Sequence, residues 1–445
     1  MFTRVHFKNF RSFKDIELNL ESKKKQCKPL VMIYGENGMG KTNISIGFSV
    51  LGDLLRTMDL RDMMEQFLAD ETFKKVAEIT GDPQVLLQRV FKESLDVKHI
   101  VQTARMADCN DPVVLEYEFS LHGKIGRYLV ELGEDEVIHE RLEYTLEKNK
   151  GLYFDLSANT KKINPKIFEN QDILRDVRNL VDRFWGKHTF LAILLHEKND
   201  KSERYITSSI SKNFRAIIDE FCNLSCYIKP GEEEREMRSG RLHMLASFKE
   251  GHISKSKEKI LDATESVLSN LFSSINSDNH RVFYQRKDVG NNQIRYKLMI
   301  CKYIAGQERI IDFEQESTGN HQLLRILRHL LFAISGGTAI VDEIDTGIHD
   351  LLMKKIIEDA LPYIKGQLIV TTHNTALMEI SNIQTYTYII SEDANANKTI
   401  RCIDDYENRT YQLNNVRDKY FSDAYDGIPH LSKIDFVSML NTLEQ

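Results

Sequence analysis

The sequence predicts an α/β fold with an antiparallel β subdomain and an inserted helical lobe, built around a phosphate-binding loop. First, residues 30–43 read LVMIYGENGMGKTN, an apolar run that leads into a glycine-rich turn, a lysine and a threonine. Second, residues 338–341 and 367–371 are short apolar runs that each end in polar residues, as buried strands of a parallel sheet do. Third, residues 113–146 alternate apolar and polar side chains with a period of two, which predicts an antiparallel meander.

The N-terminal elements follow from the same kind of pattern. Residues 3–8 and 15–20 are predicted to be strands on either side of the turn NFRSF at 9–13. A helix is expected to begin at about Thr42, directly after the glycine-rich turn. Residues 171–198 have apolar side chains at helical spacing and are predicted to be helical.

The periodicity also divides the chain into three parts. They are an N-terminal part of the α/β fold, a helical lobe and a C-terminal part, at residues 1–198, 199–279 and 280–445. In the first part, about 55–110 is expected to be a helical insertion before the meander at 113–146. In the lobe, residues 203–228 and 253–274 have helical spacing. The third part begins with strands and continues with a helix at 322–334.

Composition and charge limit the classes of function. The chain has 445 residues, 41% of them hydrophobic, and a net charge of −6, so no global basic field indicates a nucleic-acid-binding protein. Two local basic clusters, KKKQCK at 23–28 and HISKSKEKI at 252–260, are expected to be solvated faces, with contact to DNA or RNA as the second interpretation. No apolar run is long enough to span a bilayer and no signal-peptide core precedes the first strand, so we expect a cytoplasmic protein without membrane contact.

The glycine-rich turn has the spacing of a nucleotide-binding P-loop. Gly35 and Gly40 frame four residues and are followed by Lys41 and Thr42. Backbone N–H groups in such a loop converge on phosphate oxygens, the lysine bridges the β- and γ-phosphates, and the threonine holds Mg²⁺. The nucleotide-binding residues predicted here are Gly35, Glu36, Asn37, Gly38, Met39, Gly40, Lys41, Thr42 and Asn43. ATP and Mg²⁺ are the expected ligands.

The second apolar strand ends in two acids, in AIVDEIDTGIH at 339–349. Asp342 is predicted to hold Mg²⁺ together with Thr42, and Glu343 is predicted to activate the attacking water. The alternative is a buried strand capped by surface acids, which the presence of the P-loop disfavours.

Two further motifs are less specific when each is taken alone. The strand LIVTTHN at 368–374 places His373 where it would sense the γ-phosphate, although a histidine at a strand end is more often an ordinary loop residue. In ESTGNHQ at 316–322, small residues precede a helix and form a candidate anion site made of Ser317, Thr318 and Gly319. The alternative for this motif is an ordinary N-cap.

Taken in order, these motifs resemble the ABC-type ATPase head of the SMC, RecF and OLD families. The order is NFRSF, GENGMGKT, ESTG, IVDE and TTH, with the match at roughly 1–50 and 305–380. The resemblance implies that Lys41, Glu343 and His373 act in ATP hydrolysis. It also implies a homodimer, or a higher even-numbered oligomer, joined through composite ATP sites. In such a site, Ser317, Thr318 and Gly319 of one subunit would complete the P-loop of the other. The signature departs from the usual LSGGQ form.

Within this group, DEIDTGIH resembles the DEIE-x-x-LH pattern of AAA-ATPase-like proteins from bacterial abortive-infection and anti-phage systems. This resemblance implies an ATPase that acts as sensor or scaffold and controls a separate effector, a nuclease or a toxin. No nuclease motif in the expected context follows His373, so the effector is expected on another chain. Two alternatives remain open: a DNA-repair or chromosome-maintenance ATPase of the RecF or SMC type, and a non-catalytic scaffold gated by nucleotide.

Overall fold

Three β-sheets, with helices between and around them, make up the part of the chain that the structure describes. The computed structural model describes residues 1–69, 96–200, 210–229, 235–237, 245, 247–275, 279–406, 415–428 and 434–443. The α-helices in these ranges are α1 (Lys41–Ala69), α2 (Val97–Ala104), α3 (Gln171–Phe184), α4 (Phe190–Asp200), α5 (Lys212–Phe221), α6 (Glu258–Ile275), α7 (Thr318–Ile334), α8 (Asp350–Ala360), α9 (Val416–Phe421) and α10 (Phe436–Leu443). The strands are β1 (Phe2–Phe10), β2 (Phe13–Asn19), β3 (Leu30–Tyr34), β4 (Val113–Leu121), β5 (Lys124–Leu132), β6 (Val137–Thr145), β7 (Lys150–Ser157), β8 (Thr160–Ile163), β9 (Leu224–Ile228), β10 (Arg235–Met237), β11 (Glu250–Ser254), β12 (Asn279–Gly290), β13 (Gln293–Ile304), β14 (Gln307–Asp312), β15 (Thr338–Val341), β16 (Gln367–Thr371), β17 (Thr387–Glu392) and β18 (Lys398–Cys402).

The central sheet carries the three motif-bearing strands side by side. Its order is β10-β9-β15-β16-β3-β17-β18. The five inner strands are parallel, and β10 and β18 pair antiparallel at the edges. Every residue of β3, β15 and β16 is buried, because both faces of a parallel sheet are covered. The strand before the glycine-rich turn therefore lies next to the strand that ends at His373, and that strand lies next to the one that ends at Asp342.

Alternate residues of the central strands point into two hydrophobic cores. Val31 and Ile33 of β3 contact the core that contains α1 and the antiparallel sheet. Leu30, Met32 and Tyr34 contact the second core, which contains α7, α8 and the sheet formed by β11–β14. This alternation is the two-residue period of a strand. It places α1, which begins at the glycine-rich turn, and α7, which begins at the ESTG motif, on opposite faces of one sheet.

The antiparallel subdomain is a seven-stranded sheet in the order β2-β1-β4-β5-β6-β7-β8. The meander predicted at 113–146 forms β4, β5 and β6, and the N-terminal strand pair forms its continuation on one side. Two strands that the sequence analysis did not predict, β7 and β8, extend it on the other side. Together, the layers match the predicted fold class.

The region predicted as a helical lobe contains more strand than expected. A helix was predicted for 203–228, but α5 ends at Phe221 and β9 then joins the central sheet beside β15. Residues 250–254 are also a strand, and they pair with β13 in a four-stranded antiparallel sheet that packs on α6. An isolated apolar run such as LSCYI cannot be assigned to helix or strand from periodicity. The division at 199 and 279 itself stays a proposal.

Other predicted boundaries shift by smaller amounts. The helix expected from 322 begins four residues earlier, at Thr318. The helical stretch at 171–198 is broken into α3 and α4. Of the insertion predicted at about 55–110, residues 70–95 lie outside the described part of the chain. None of the described helices combines the length and the apolar character needed to cross a bilayer.

Candidate functional site: a P-loop, two acids and a histidine at one sheet edge

The loop Gly35–Gly40 connects β3 to α1 in the conformation that its glycines permit. Gly35, Gly38 and Gly40 have φ angles of +151°, +84° and +96°, which residues with a Cβ rarely adopt. The loop leads into the N-terminus of α1, where unpaired N–H groups and the helix dipole favour an anion. Asn37 and Gly38 are exposed, whereas Glu36 and Met39 are half-buried. This is the arrangement that a phosphate-binding loop requires.

Lys41 folds back over the loop that precedes it. Its Nζ donates hydrogen bonds to the carbonyl oxygens of Gly35 and Glu36, both at 2.8 Å. The residue is 7% exposed, and burial lowers the pKa of its ammonium group, while the carboxylates of Asp342 and Glu343 act in the opposite direction. A buried cation held by two uncharged carbonyl groups is well suited to exchange them for phosphate oxygens.

Asp342 is held by two hydroxyl groups at the end of β15. Thr42 Oγ1 donates to its Oδ2 at 2.9 Å, and Thr371 Oγ1 donates to its Oδ1 at 2.6 Å. Burial raises the pKa of Asp342, and the two hydroxyl hydrogen bonds oppose that effect. A hydroxyl and a carboxylate in contact are oxygen ligands of the kind Mg²⁺ prefers. Thr42 and Asp342 therefore fit the ion.

Glu343 has an unusual backbone for a residue with a side chain. Its φ is +48°, in the left-handed region that costs a non-glycine residue about 1–3 kcal/mol and tends to occur at functional sites. Its N–H donates to Thr371 Oγ1 at 2.8 Å, and its Oε2 accepts from Thr346 Oγ1 at 3.1 Å. The single hydroxyl of Thr371 thus fixes both the Asp342 carboxylate and the Glu343 backbone.

His373 lies at the end of β16, one strand away from Asp342. Desolvation of its ring lowers the pKa of His373, and the charge of Lys41 lowers it further, whereas Asp345 and Glu343 act in the opposite direction. The preceding residue, Thr372, donates from Oγ1 to Asp345 Oδ1 at 2.6 Å and accepts from the N–H of Asn374 at 3.0 Å. The histidine is therefore joined through its neighbour to the loop that follows Glu343.

The ESTG motif occupies a different surface. Ser317 caps α7 by accepting a hydrogen bond from the Asn320 N–H at 3.3 Å, and Ser317 and Thr318 are exposed. A Cβ on Gly319 would lie 2.6 Å from the carbonyl oxygen of Gly347, so only glycine fits there. Within the described part of the chain, no hydrogen bond joins residues 317–319 to the P-loop.

The NFRSF turn is attached to the first turn of α1. Arg11 donates from Nε to Asn43 Oδ1 at 2.7 Å and from Nη1 to the Thr103 carbonyl at 2.8 Å. Asn43 in turn donates from Nδ2 to Ser12 Oγ at 2.8 Å. The predicted site residue Asn43 therefore contacts the turn.

Sequence reasoning did not identify Thr371, Thr372 and Asp345. Their signal was present, because two threonines precede the histidine at a buried strand end and a third acid follows the pair at 342–343. In this motif, only His373 has a side chain that the pattern singles out. Threonine is common in strands, so its hydroxyl groups are not a distinctive signal.

The loop, the two acids and the neighbouring strands are those of a P-loop protein with an AAA-type domain. The family model described as "AAA domain, putative AbiEii toxin, Type IV TA system" matches residues 30–379, which is most of the chain. The protein therefore belongs to this family, and the predicted resemblance to AAA-type ATPases of abortive-infection systems is confirmed. A comparison of the sequence with curated proteins finds no match.

Solved structures with some similarity are head domains of SMC proteins. The SMC head domain from Thermotoga maritima is 13% identical with a TM-score of 0.36, over 90% of this chain and 98% of that one. An Smc head bound to the C-terminal winged-helix domain of ScpA is 15% identical with a TM-score of 0.40, over 90% and 96%. A third, an Smc head with an extended coiled coil bound to a ScpA domain derived from Pyrococcus furiosus, is 13% identical with a TM-score of 0.39, over 90% and 95%.

Proposed function

We propose that this protein binds and hydrolyses ATP with Mg²⁺, and that two copies close on two ATP molecules through composite sites. In each site, one subunit contributes the P-loop, Asp342, Glu343 and His373, and the other contributes Ser317, Thr318 and Gly319. The ATP then serves as a timed switch for assembly. We further propose that this switch belongs to an anti-phage, abortive-infection system and controls a separate effector protein. The family description, which names a toxin–antitoxin system, supports that role.

The chemistry at the P-loop follows from the contacts at the sheet edge. Lys41 leaves the carbonyl groups of Gly35 and Glu36 and binds the phosphates. The negative charge of the phosphates then compensates the positive charge of the buried ammonium group. Thr42 and Asp342 would hold Mg²⁺, and the ion would supply positive charge to stabilise the phosphates. Glu343 accepts a proton from the attacking water.

The remaining residues of the site orient these groups. Thr371 fixes the backbone of Glu343 through the hydrogen bond at 2.8 Å. The ring of His373 carries an N–H group that can donate a hydrogen bond to the γ-phosphate. The timing of hydrolysis therefore depends on side chains at the ends of three adjacent strands.

One observation carries the composite site: the exposure of Ser317 and Thr318. These residues begin a helix whose N-terminus favours an anion, yet they make no hydrogen bond to the P-loop within the described part of the chain. An anion site that is turned to solvent and built next to the loop after Glu343 is suited to a phosphate held by another subunit. The same surface would be left without a ligand if the protein worked as a monomer.

The test is to place one lesion on each side of the composite site. Ser317→Arg should spare ATP binding at its own P-loop and abolish hydrolysis, because the arginine occupies the face that approaches the other subunit's γ-phosphate. Lys41→Ala should be inactive for the opposite reason. In a mixed dimer of the two variants, one site combines an intact P-loop with an intact ESTG motif. ATPase activity should therefore partly return when the two inactive proteins are mixed.

The alternative outcome is equally definite. If Ser317 only caps α7, Ser317→Arg would lower the melting temperature and no mixture would regain activity, since each P-loop would work with residues of its own chain. Ser335→Arg is a matched control, because Ser335 lies at the opposite end of the same helix. It should hydrolyse ATP at the parent rate.

A further inference from the structure

The carboxylate next to the ESTG serine is almost completely buried. The Glu316 side chain is 3% exposed, although it directly precedes the exposed Ser317. Its Oε1 lies 2.7 Å from Lys302 Nζ, and its Oε2 accepts from Asn320 Nδ2 at 2.7 Å. Lys302 belongs to β13 in the four-stranded sheet, and its own side chain is 17% exposed. A motif at the surface is thus tied to a neighbouring sheet by an ion pair.

The contacts of this pair favour the charged form of Glu316. Burial alone would raise the pKa of Glu316, but the hydrogen bonds from Lys302 and Asn320 outweigh it and hold the pKa below its usual value. A buried ion pair contributes little net stability, because desolvation offsets the attraction. Separation of the two side chains would leave a charge buried and uncompensated. The pair therefore favours the arrangement in which Lys302 and Glu316 are in contact.

Through Asn320, the ion pair also affects the position of the Ser317 hydroxyl. Asn320 donates twice to the motif, from its backbone N–H to Ser317 Oγ at 3.3 Å and from its side-chain Nδ2 to Glu316. Behind them, Phe313 packs edge-on against Phe272 of α6, with 5.3 Å between ring centroids. The segment before α7 is therefore clamped from the side of the four-stranded sheet and not from the P-loop.

We propose that Lys302 is a positioning residue of the composite ATP site: through Glu316 and Asn320, it orients Ser317 and Thr318 toward the γ-phosphate bound by the other subunit. This inference rests on the composite site proposed above. Lys302 does not touch the nucleotide; it acts on the geometry of residues that do. The four-stranded sheet, which carries none of the nucleotide-binding motifs, thereby takes part in hydrolysis.

The test is Lys302→Met, which keeps the unbranched shape and most of the length of the side chain and removes its charge. ATP affinity at the P-loop should be unchanged, and kcat should fall roughly 10- to 100-fold, as misplaced groups in a reactive complex typically cause. The decisive readout is mixing. Lys302→Met should regain activity with Lys41→Ala, because one mixed site is then intact. It should not regain activity with Ser317→Arg, since both lesions fall on the same half of every site.

Two further variants separate this role from a structural one. Lys297 is the other lysine of β13 that pairs with a carboxylate, that of Asp312 at the end of β14. Lys297→Met should leave kcat near the parent value. Lys302→Arg keeps the charge and should recover most of the activity. A parent-like kcat for Lys302→Met would overturn the proposal. Recovery of activity when Lys302→Met is mixed with Ser317→Arg would also overturn it. An equal fall of kcat in Lys297→Met would do the same.

Failure of this inference and failure of the composite site give different results. If Ser317→Arg and Lys41→Ala restore each other while Lys302→Met hydrolyses normally, the composite site stands and only the role of Lys302 is wrong. If no pair of variants restores activity, the composite site is wrong, and the proposal for Lys302 is overturned with it.

Discussion

Two helix N-termini in this molecule have the same anion-binding chemistry and opposite surroundings. At α1, Lys41 is 7% exposed and donates to two carbonyls of its own loop, and Thr42 donates to an aspartate 300 positions away. At α7, Ser317 and Thr318 are exposed, and the polar contacts of the motif lead to a different sheet. The first terminus is enclosed by contacts with its own chain. At the second, Lys302 and Asn320 hold Glu316 before the helix, and Ser317 and Thr318 face solvent.

The two regions are nevertheless connected through the loop between β15 and α8. Asp345 in that loop accepts from Thr372, beside His373, and Gly347 in the same loop lies against Gly319. A change at the phosphate end of the P-loop site can therefore reach the ESTG surface through packed atoms. We therefore expect the enclosed terminus at α1, the closed half, to be coupled through this loop to the exposed terminus at α7, the open half.

The largest expected effect belongs to the closed half. Lys41→Ala should abolish ATP binding and hydrolysis, because it removes the buried cation that binds the transferred phosphate. Binding of a fluorescent ATP analogue and phosphate release measure the two losses. In cells challenged with phage, loss of protection in this variant would connect the ATPase to defence.

A neighbouring lysine provides the control for that variant. Lys398 reaches the same loop, with its Nζ 3.5 Å from Met39 Sδ, but pairs with Glu392 and has no predicted role in phosphate binding. Lys398→Ala should bind ATP as the parent does. Unchanged ATP affinity in Lys41→Ala would remove the basis for placing the nucleotide at this loop.

The next effect separates binding from chemistry. Glu343→Gln should keep ATP affinity and slow hydrolysis by roughly a hundredfold or more, as expected when a general base is lost. Glutamine has nearly the shape of glutamate, so we expect the variant to keep the backbone conformation of residue 343, with its φ of +48°. The variant should also accumulate as the ATP-bound dimer, which size-exclusion chromatography with light scattering detects. Hydrolysis at the parent rate would assign the base to another residue.

The elements that sequence patterns predicted well are those whose burial repeats with a clear period. The meander at β4–β6 alternates over nine-residue strands, and β3 leads into an unmistakable glycine-rich turn. By contrast, β9 is a five-residue apolar run after a helix, and its partner β15 lies more than a hundred residues further along the chain. Its identity as a strand is decided by that distant pairing, and no local period contains the information.

The same distinction applies to the site. Lys41, Thr42 and Asp342 were predicted because their chemistry requires a fixed motif, and the structure brings Thr42 and Asp342 into direct contact. Thr371 and Lys302 were not predicted, because each is recognised only by its contact with a residue on another element, Asp342 for Thr371 and Glu316 for Lys302. Residues that position a catalytic group become visible only when the strands that carry them are placed side by side.

The smallest expected effect concerns the connection between the two halves. Thr372→Val keeps the shape of a fully buried side chain and removes both the hydrogen bond to Asp345 and the one accepted from the Asn374 N–H. ATP binding should be unchanged, because Thr372 makes no hydrogen bond to the P-loop within the described residues, whereas kcat should fall by several-fold. The loop that touches Gly319 would then be less well ordered, since a hydrogen bond to a charged group contributes about 1.5–3 kcal/mol. Thr372→Ser retains the hydroxyl and should hydrolyse ATP nearly as the parent does. If valine and serine lower kcat equally, the effect comes from packing, and the hydrogen bond does not link the two halves.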